Sequence, residues 1–195
     1  MSKKIIYLLM AMGIFVVGCG QEEMGQETDS IADQIEDELG VSVVLPEAES
    51  KEIANAMINY APDQDEDPLE GDAVGATVGY TDEDESLTPM DEEMVEDWQE
   101  RQRSRIISES LYENDALISV DIRPGQIDSG DLAEETEIEG HDVHYNLMQT
   151  GEIESMVLVV NTGDVGYQIQ YMLTDEASES DALDFVEAII EGHAA

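Results

Sequence analysis

The chain has 195 residues, with 48 Asp and Glu against seven Lys and Arg, and a formal net charge of −41. Such a charge excludes nucleic acid as a partner, because its phosphates would be repelled, and a single cysteine excludes an intramolecular disulfide. A hydrophobic content of 42% with clean strand patterns argues against an acidic disordered chain, and the length allows one domain with its own core.

Lys3 and Lys4 make a short positive start, and Ile5 to Val17 (IIYLLMAMGIFVV) is uncharged and apolar. A charged start, a short apolar core and small residues at the cut form the secretory pattern. The run is too short for a spanning helix, which needs about 20 apolar residues, and it stops at Gly18-Cys19-Gly20. An aliphatic Val16, a small Gly18 and then Cys19 resemble the lipobox of bacterial lipoproteins. That resemblance implies cleavage between Gly18 and Cys19 and lipidation of Cys19 as the first mature residue. One acyl chain binds a membrane only marginally and two hold firmly. The implied partner is therefore the cell membrane, reached through lipid on Cys19 at its extracytoplasmic face.

Residues 1–18 are then the signal peptide, 19–29 a polar, glycine-containing tether, and 30–192 a single extracytoplasmic domain. Ser30 reads as an N-cap, with Ile31, Ile35 and Leu39 as one apolar stripe and Gly40 after the helix. Val41 to Leu45 reads as a strand stopped by Pro46. Residues 49–60 fit two patterns, a helix through Ala54, Met57 and Ile58 or an alternation of Ala54, Ala56, Ile58 and Tyr60, and the helix is preferred. Residues 62–72 form an acidic loop. Val74, Ala76, Val78 and Tyr80 alternate as a half-buried strand.

Thr88-Pro89 is expected to open a helix as cap and first residue, with Met90, Met94 and Trp98 as its apolar stripe. It starts acidic and ends at Arg101, Arg103 and Arg105, which suits its dipole; it either continues to Tyr112 or gives way to a strand near Ile106. Leu117 to Arg123 reads as a strand, followed by a meander. In that meander Val143, Tyr145 and Leu147 alternate, Met156 to Val160 is a buried run, and Val165 to Leu173 alternates after the turn 161–164. A closing helix, capped at Ser178 or Ser180, brings Phe185, Val186, Ile189 and Ile190 to the sheet. The expected fold is α+β, an antiparallel sheet of about five or six strands covered by helices, including the C-terminal one. Gly140 before the Val143 strand, the Gly163 hairpin with its Gly166-Tyr167 return and the closing helix resemble small sheet-and-helix modules of Gram-positive lipoproteins and anti-sigma-factor ectodomains.

Loss of Lys3 and Lys4 takes the mature charge from −41 to −43. The acids are spread through the chain, so an acidic tail fits poorly. The preferred reading is salt adaptation: at about 1 M salt the Debye length is about 3 Å and the self-repulsion is screened.

Candidate chemistry is sparse. His141 and His144 are the one close histidine pair and the weak metal candidates, yet on an extended strand they point to opposite faces. Asp63 to Asp67 begins like a calcium loop, but Pro68 and Val74 stand where glycine and glutamate are required. Arg101, Arg103 and Arg105 are candidates for contact with anionic headgroups or wall polymer. Tyr145, Tyr167 and Tyr171 are candidate pocket residues between sheet and helix. No phosphate-loop, nucleophile-elbow or zinc-protease motif occurs, and no cofactor is expected. The expectation is a non-catalytic, lipid-anchored binding or envelope-associated domain whose partner is an envelope protein or wall component. The alternative is a sensor or carrier holding an apolar ligand or peptide between sheet and helix; an enzyme ranks behind both.

Overall fold

The computed structural model describes residues 21–48, 50–61, 69 and 71–194; Val16 to Cys19 and the acidic run 63–67 lie outside the described residues. The elements in chain order are α1 (Gln21–Leu39), β1 (Lys51–Tyr60), β2 (Ala73–Asp82), α2 (Glu92–Gln102), β3 (Ser104–Ile106), β4 (Ile118–Pro124), β5 (Glu134–Ile138), β6 (His141–Thr150), β7 (Ile153–Thr162), β8 (Val165–Leu173) and α3 (Glu179–Ala194). The strands form one antiparallel sheet of eight, in the order β3-β1-β2-β4-β8-β7-β6-β5.

Register decides which side chains meet. Ile58 lies opposite Ala76, Ala76 opposite Ile122, Ile122 opposite Tyr167, Tyr167 opposite Val160 and Val160 opposite Val143. All six are buried, because directly opposed residues share a face and a period of two keeps that face apolar along each strand. Helices α1 and α3 cover it, through Ile31 and Ile35 and through Phe185, Val186, Ile189 and Ile190. Tyr80 and Tyr171 meet the Phe185 ring edge-on at centroid distances of 5.5 and 6.2 Å, a favoured arrangement for rings of opposed quadrupole. α3 opens on a reciprocal cap, since Ser178 N donates to Asp181 Oδ2 at 2.7 Å and Asp181 N donates to Ser178 Oγ at 3.4 Å. Ser178 N and Ser178 Oγ, both donating to Asp181 Oδ2, hold the Asp181 carboxyl below its usual range.

The α+β class and the covering C-terminal helix are as expected, but the sheet has eight strands where five or six were counted. Residues 51–60 are strand β1 and not a helix: Ala54, Ala56, Ile58 and Tyr60 alternate with less buried neighbours, and pairing with both β2 and β3 fixes the extended form. β5, with the sequence EETEI, carries no apolar stripe and was not foreseen. Residues 41–45 are extended but pair with no strand among the described residues. α1 begins at Gln21, ahead of the expected cap at Ser30.

α2 starts at Glu92 behind Asp91, and Pro89 instead bridges to Tyr112. The expected stripe of α2 is not a core face, because no residue of that helix is buried and Met94 is exposed. Gly192 lies inside α3, where a β-carbon would come within 2.5 Å of Val44 Cγ1. The missing side chain lets α3 close onto the 41–45 segment.

Candidate functional site

At one end of the helix-covered face, four parts of the chain enclose a cleft of about 420 Å³. They are the C-terminal end of α1 with Val41 and Ser42, the start of β6 at His141, the β7–β8 turn from Thr162 to Val165, and the last turn of α3 with Ile190 and His193. Each has a local reason to be there. Glu36 ties the α1 exit back on itself, its carboxylate accepting from Val43 N at 2.7 Å and Ser42 Oγ at 3.0 Å. Val44 N donates to the Tyr167 hydroxyl at 2.9 Å, which supplies the partner that a neighbouring strand would otherwise give.

The Tyr167 hydroxyl also lies 2.8 Å from His193 Nε2. A phenol oxygen accepts twice and donates once, so beside the Val44 bond this contact is made either by the phenol proton on a neutral Nε2 or by an Nε2–H donated to the phenol oxygen. Burial lowers the His193 pKa, the Glu36 carboxylate raises it and the nearby His141 lowers it further. Burial likewise pushes the Tyr167 hydroxyl well above its ordinary value. His141 Nδ1 lies 3.3 Å from Asn161 O; a carbonyl only accepts, so this nitrogen carries a proton.

Thr162 Oγ1 is the unsatisfied atom of the cleft wall. It is buried, and it has no hydrogen-bond partner among the described residues. A buried unmatched hydroxyl costs about 1–3 kcal/mol. The cleft thus offers the His141 and His193 imidazoles and the Asp164 carboxylate, with the Thr162 hydroxyl buried in its wall. Its lining contains no Lys or Arg, and the last turn of α1 has no basic residue to offset the partial negative charge of its end. The electrostatics therefore favour neutral or cationic polar ligands over anions.

The residues singled out in the sequence are scattered. His141 faces this cleft, whereas His144, opposite Val159 and Glu135, lies on the other side of the sheet. Among the described residues no group of three or more His, Cys, Asp or Glu could hold a metal ion. Tyr167 forms the cleft's hydrogen-bonded support, and Tyr171 lines a separate acidic groove of about 380 Å³ with Lys51, Asp181 and Asp184. Tyr145 is half-buried on β6 and joins neither. Under α3 the Phe185 ring packs against Tyr171, one of the three expected pocket residues, and against Tyr80.

The arginines also diverge. Arg101 Nε donates to the Asp97 carbonyl at 3.1 Å instead of pairing with its carboxylate. Arg103, in the left-handed conformation, ends α2, and Arg105 is held by Glu38 and by the Tyr60 hydroxyl. Thr162 and His193 were missed because no local motif marks them; an aromatic and a histidine at the two ends of the last hairpin-helix unit were the available signal. Comparison with family models, characterised proteins and solved structures gave no match.

Proposed function

We propose that the chain is a non-catalytic binding domain, held by lipid on Cys19 at the extracytoplasmic face of a membrane and adapted to high salt. In this reading the cleft between His141 and His193 takes a small polar ligand that is neutral or cationic. The observation that carries the ligand site is the buried, unpartnered Thr162 Oγ1 in the wall of that cleft. A folded chain pays for such an atom unless something bonds to it in use. The anchor rests on the lipobox-like Val16 to Cys19 and on Cys19 being the sole cysteine. Among the described residues no helix is long and apolar enough to cross a membrane.

Two measurements test the two halves. Cells expressing the parent chain should incorporate labelled palmitate, and Cys19→Ala should abolish the label and accumulate as precursor; equal labelling removes the anchor. For the cleft, Thr162→Val keeps the shape and deletes the unmatched hydroxyl, so the free protein should gain about 1 kcal/mol in urea unfolding. The same variant should lose the thermal shift that the parent shows with members of a panel of small amines and polyols. A loss of stability in Thr162→Val, or carboxylates as the strongest binders, sinks the site.

A further inference from the structure

The two borders of the sheet are protected in ordinary ways. β3 is three residues long, and β5 presents Glu134, Glu135 and Glu137; short edges and charged edges both discourage strand addition. β6 is the exception. It runs from His141 to Thr150, but β5 pairs with it only from His141 to Tyr145. The chain entering β5 is turned aside at that point, since Asn146 Oδ1 accepts from Ala133 N at 2.8 Å and Asn146 Nδ2 donates to Asp131 O at 3.4 Å. Beyond it, among the described residues, Leu147 to Thr150 pairs with β7 alone.

This open stretch is unlike the rest of the molecule. In a chain that is 28% charged, Tyr145 to Thr150 has no charge, no proline and no bulge. Leu147 and Met148 are 54% and 51% exposed, and Ile153 across the turn is 54% exposed. β6 and β7 join through Gly151-Glu152, with Gly151 at φ 69° as a two-residue hairpin turn requires. The closing pair Thr150–Ile153 of such a turn bonds inward, so Leu147 and Gln149 turn their backbone N–H and C=O outward. Acids stand at both ends of the free edge: Glu134 opposite Tyr145, and Glu152 and Glu154 at the hairpin tip.

We propose that the free edge of β6 at Leu147–Thr150 is a docking site for an extended peptide segment of another protein, apolar at its centre and flanked by Lys or Arg. Backbone hydrogen bonds to Leu147 and Gln149 would give the affinity, and apolar side chains would lie beside Leu147 on one face of the sheet and beside Met148 on the other. The acidic ends select basic flanks. Four residues at about 3.4 Å each span about 13 Å, so the site takes a short strand.

The test uses the full chain in detergent at 0.5 M sodium chloride (roughly a Debye length of 4 Å), titrated by fluorescence anisotropy. The probe is a labelled peptide of alternating valine and threonine with two lysines at each end. A second probe has the same charge but N-methyl groups at alternate central residues, which block one edge. The unmethylated peptide should bind at least tenfold more tightly. Gln149→Pro, which removes an outward N–H and no bond to β7, should erase that difference, and Leu147→Ser should reduce it about threefold. Equal binding of the two peptides, or a difference that survives in both variants, overturns the proposal. So does sedimentation showing a dimer of the parent that Gln149→Pro returns to monomer, since the edge then belongs to a second copy.

Discussion

The hydroxyl of Tyr167 joins three separate parts of the chain: it accepts from Val44, lies within hydrogen-bond distance of His193 Nε2 and belongs to β8. Protonating His193 would place a charge in a half-buried site and make Nε2 a donor to a phenol oxygen that already accepts from Val44. Besides Tyr167, the groups around this imidazole are Glu36, His141 and Asp164, and the net direction is a pKa below the ordinary 6.5. A base with a depressed folded-state pKa contributes its full stability above its unfolded value and loses it as pH falls below that value. Urea unfolding in molar sodium chloride should therefore show the parent losing stability between pH 7.5 and 5.5. His193→Gln should lose less over the same window, because its side chain does not titrate. Parallel losses in the two proteins exclude His193 as the titrating group.

At the level of elements, what the sequence disclosed depended on how much each strand owed to its own pattern. β4, β7 and β8 carry runs such as Ile118, Val120 and Ile122 whose alternation is strong enough to be read alone, and each of those three residues is buried. β1 is built on Ala54 and Ala56, small residues that favour a helix locally; pairing with β2 and β3 overrides that preference. β5 has no apolar stripe and exists because β6 offers it a partner, which a reading of single segments does not register. The 41–45 segment has the apolar residues of a strand, but its Val44 N–H is satisfied by a side chain from 123 residues further on. The cleft was illegible for the same reason. Ser42, His141, Thr162 and His193 come from the first helix exit, a strand start, a hairpin turn and the last helix, and only the closure of α3 over Val44 through Gly192 brings these together. The histidine pair that stood out, His141 and His144, is split by the two-residue period of its own strand.

The whole molecule sets a third term, the field of its charges. Lys51–Asp82 at 2.6 Å and Arg105–Glu38 are ion pairs, but with seven basic residues for 48 acids most carboxylates have no cation to meet. No residue of α2 is buried and the helix is rich in Glu and Asp, and the short β5 edge is acidic. These side chains keep the surface hydrated and the chains apart, and at low salt their repulsion works against the compact state. Added salt should stabilise the fold by screening, which has a recognisable form. The Debye length falls from about 30 Å at 0.01 M to about 10 Å at 0.1 M and about 3 Å at 1 M, so most of the gain should come below a few tenths molar and then level off. Salting-out of apolar surface, by contrast, keeps growing with concentration and is stronger for sulfate than for chloride. Thermal unfolding of the full chain in detergent should thus give a melting temperature that climbs steeply up to about 0.3 M sodium chloride and then flattens. At low salt, lowering the pH towards the carboxylate range (about 4) should raise it as acids begin to neutralise, the opposite sign to the His193 effect seen in molar salt. A melting temperature that is flat or falls with salt, or that rises without levelling and follows sulfate over chloride, removes charge screening as the reason for this composition.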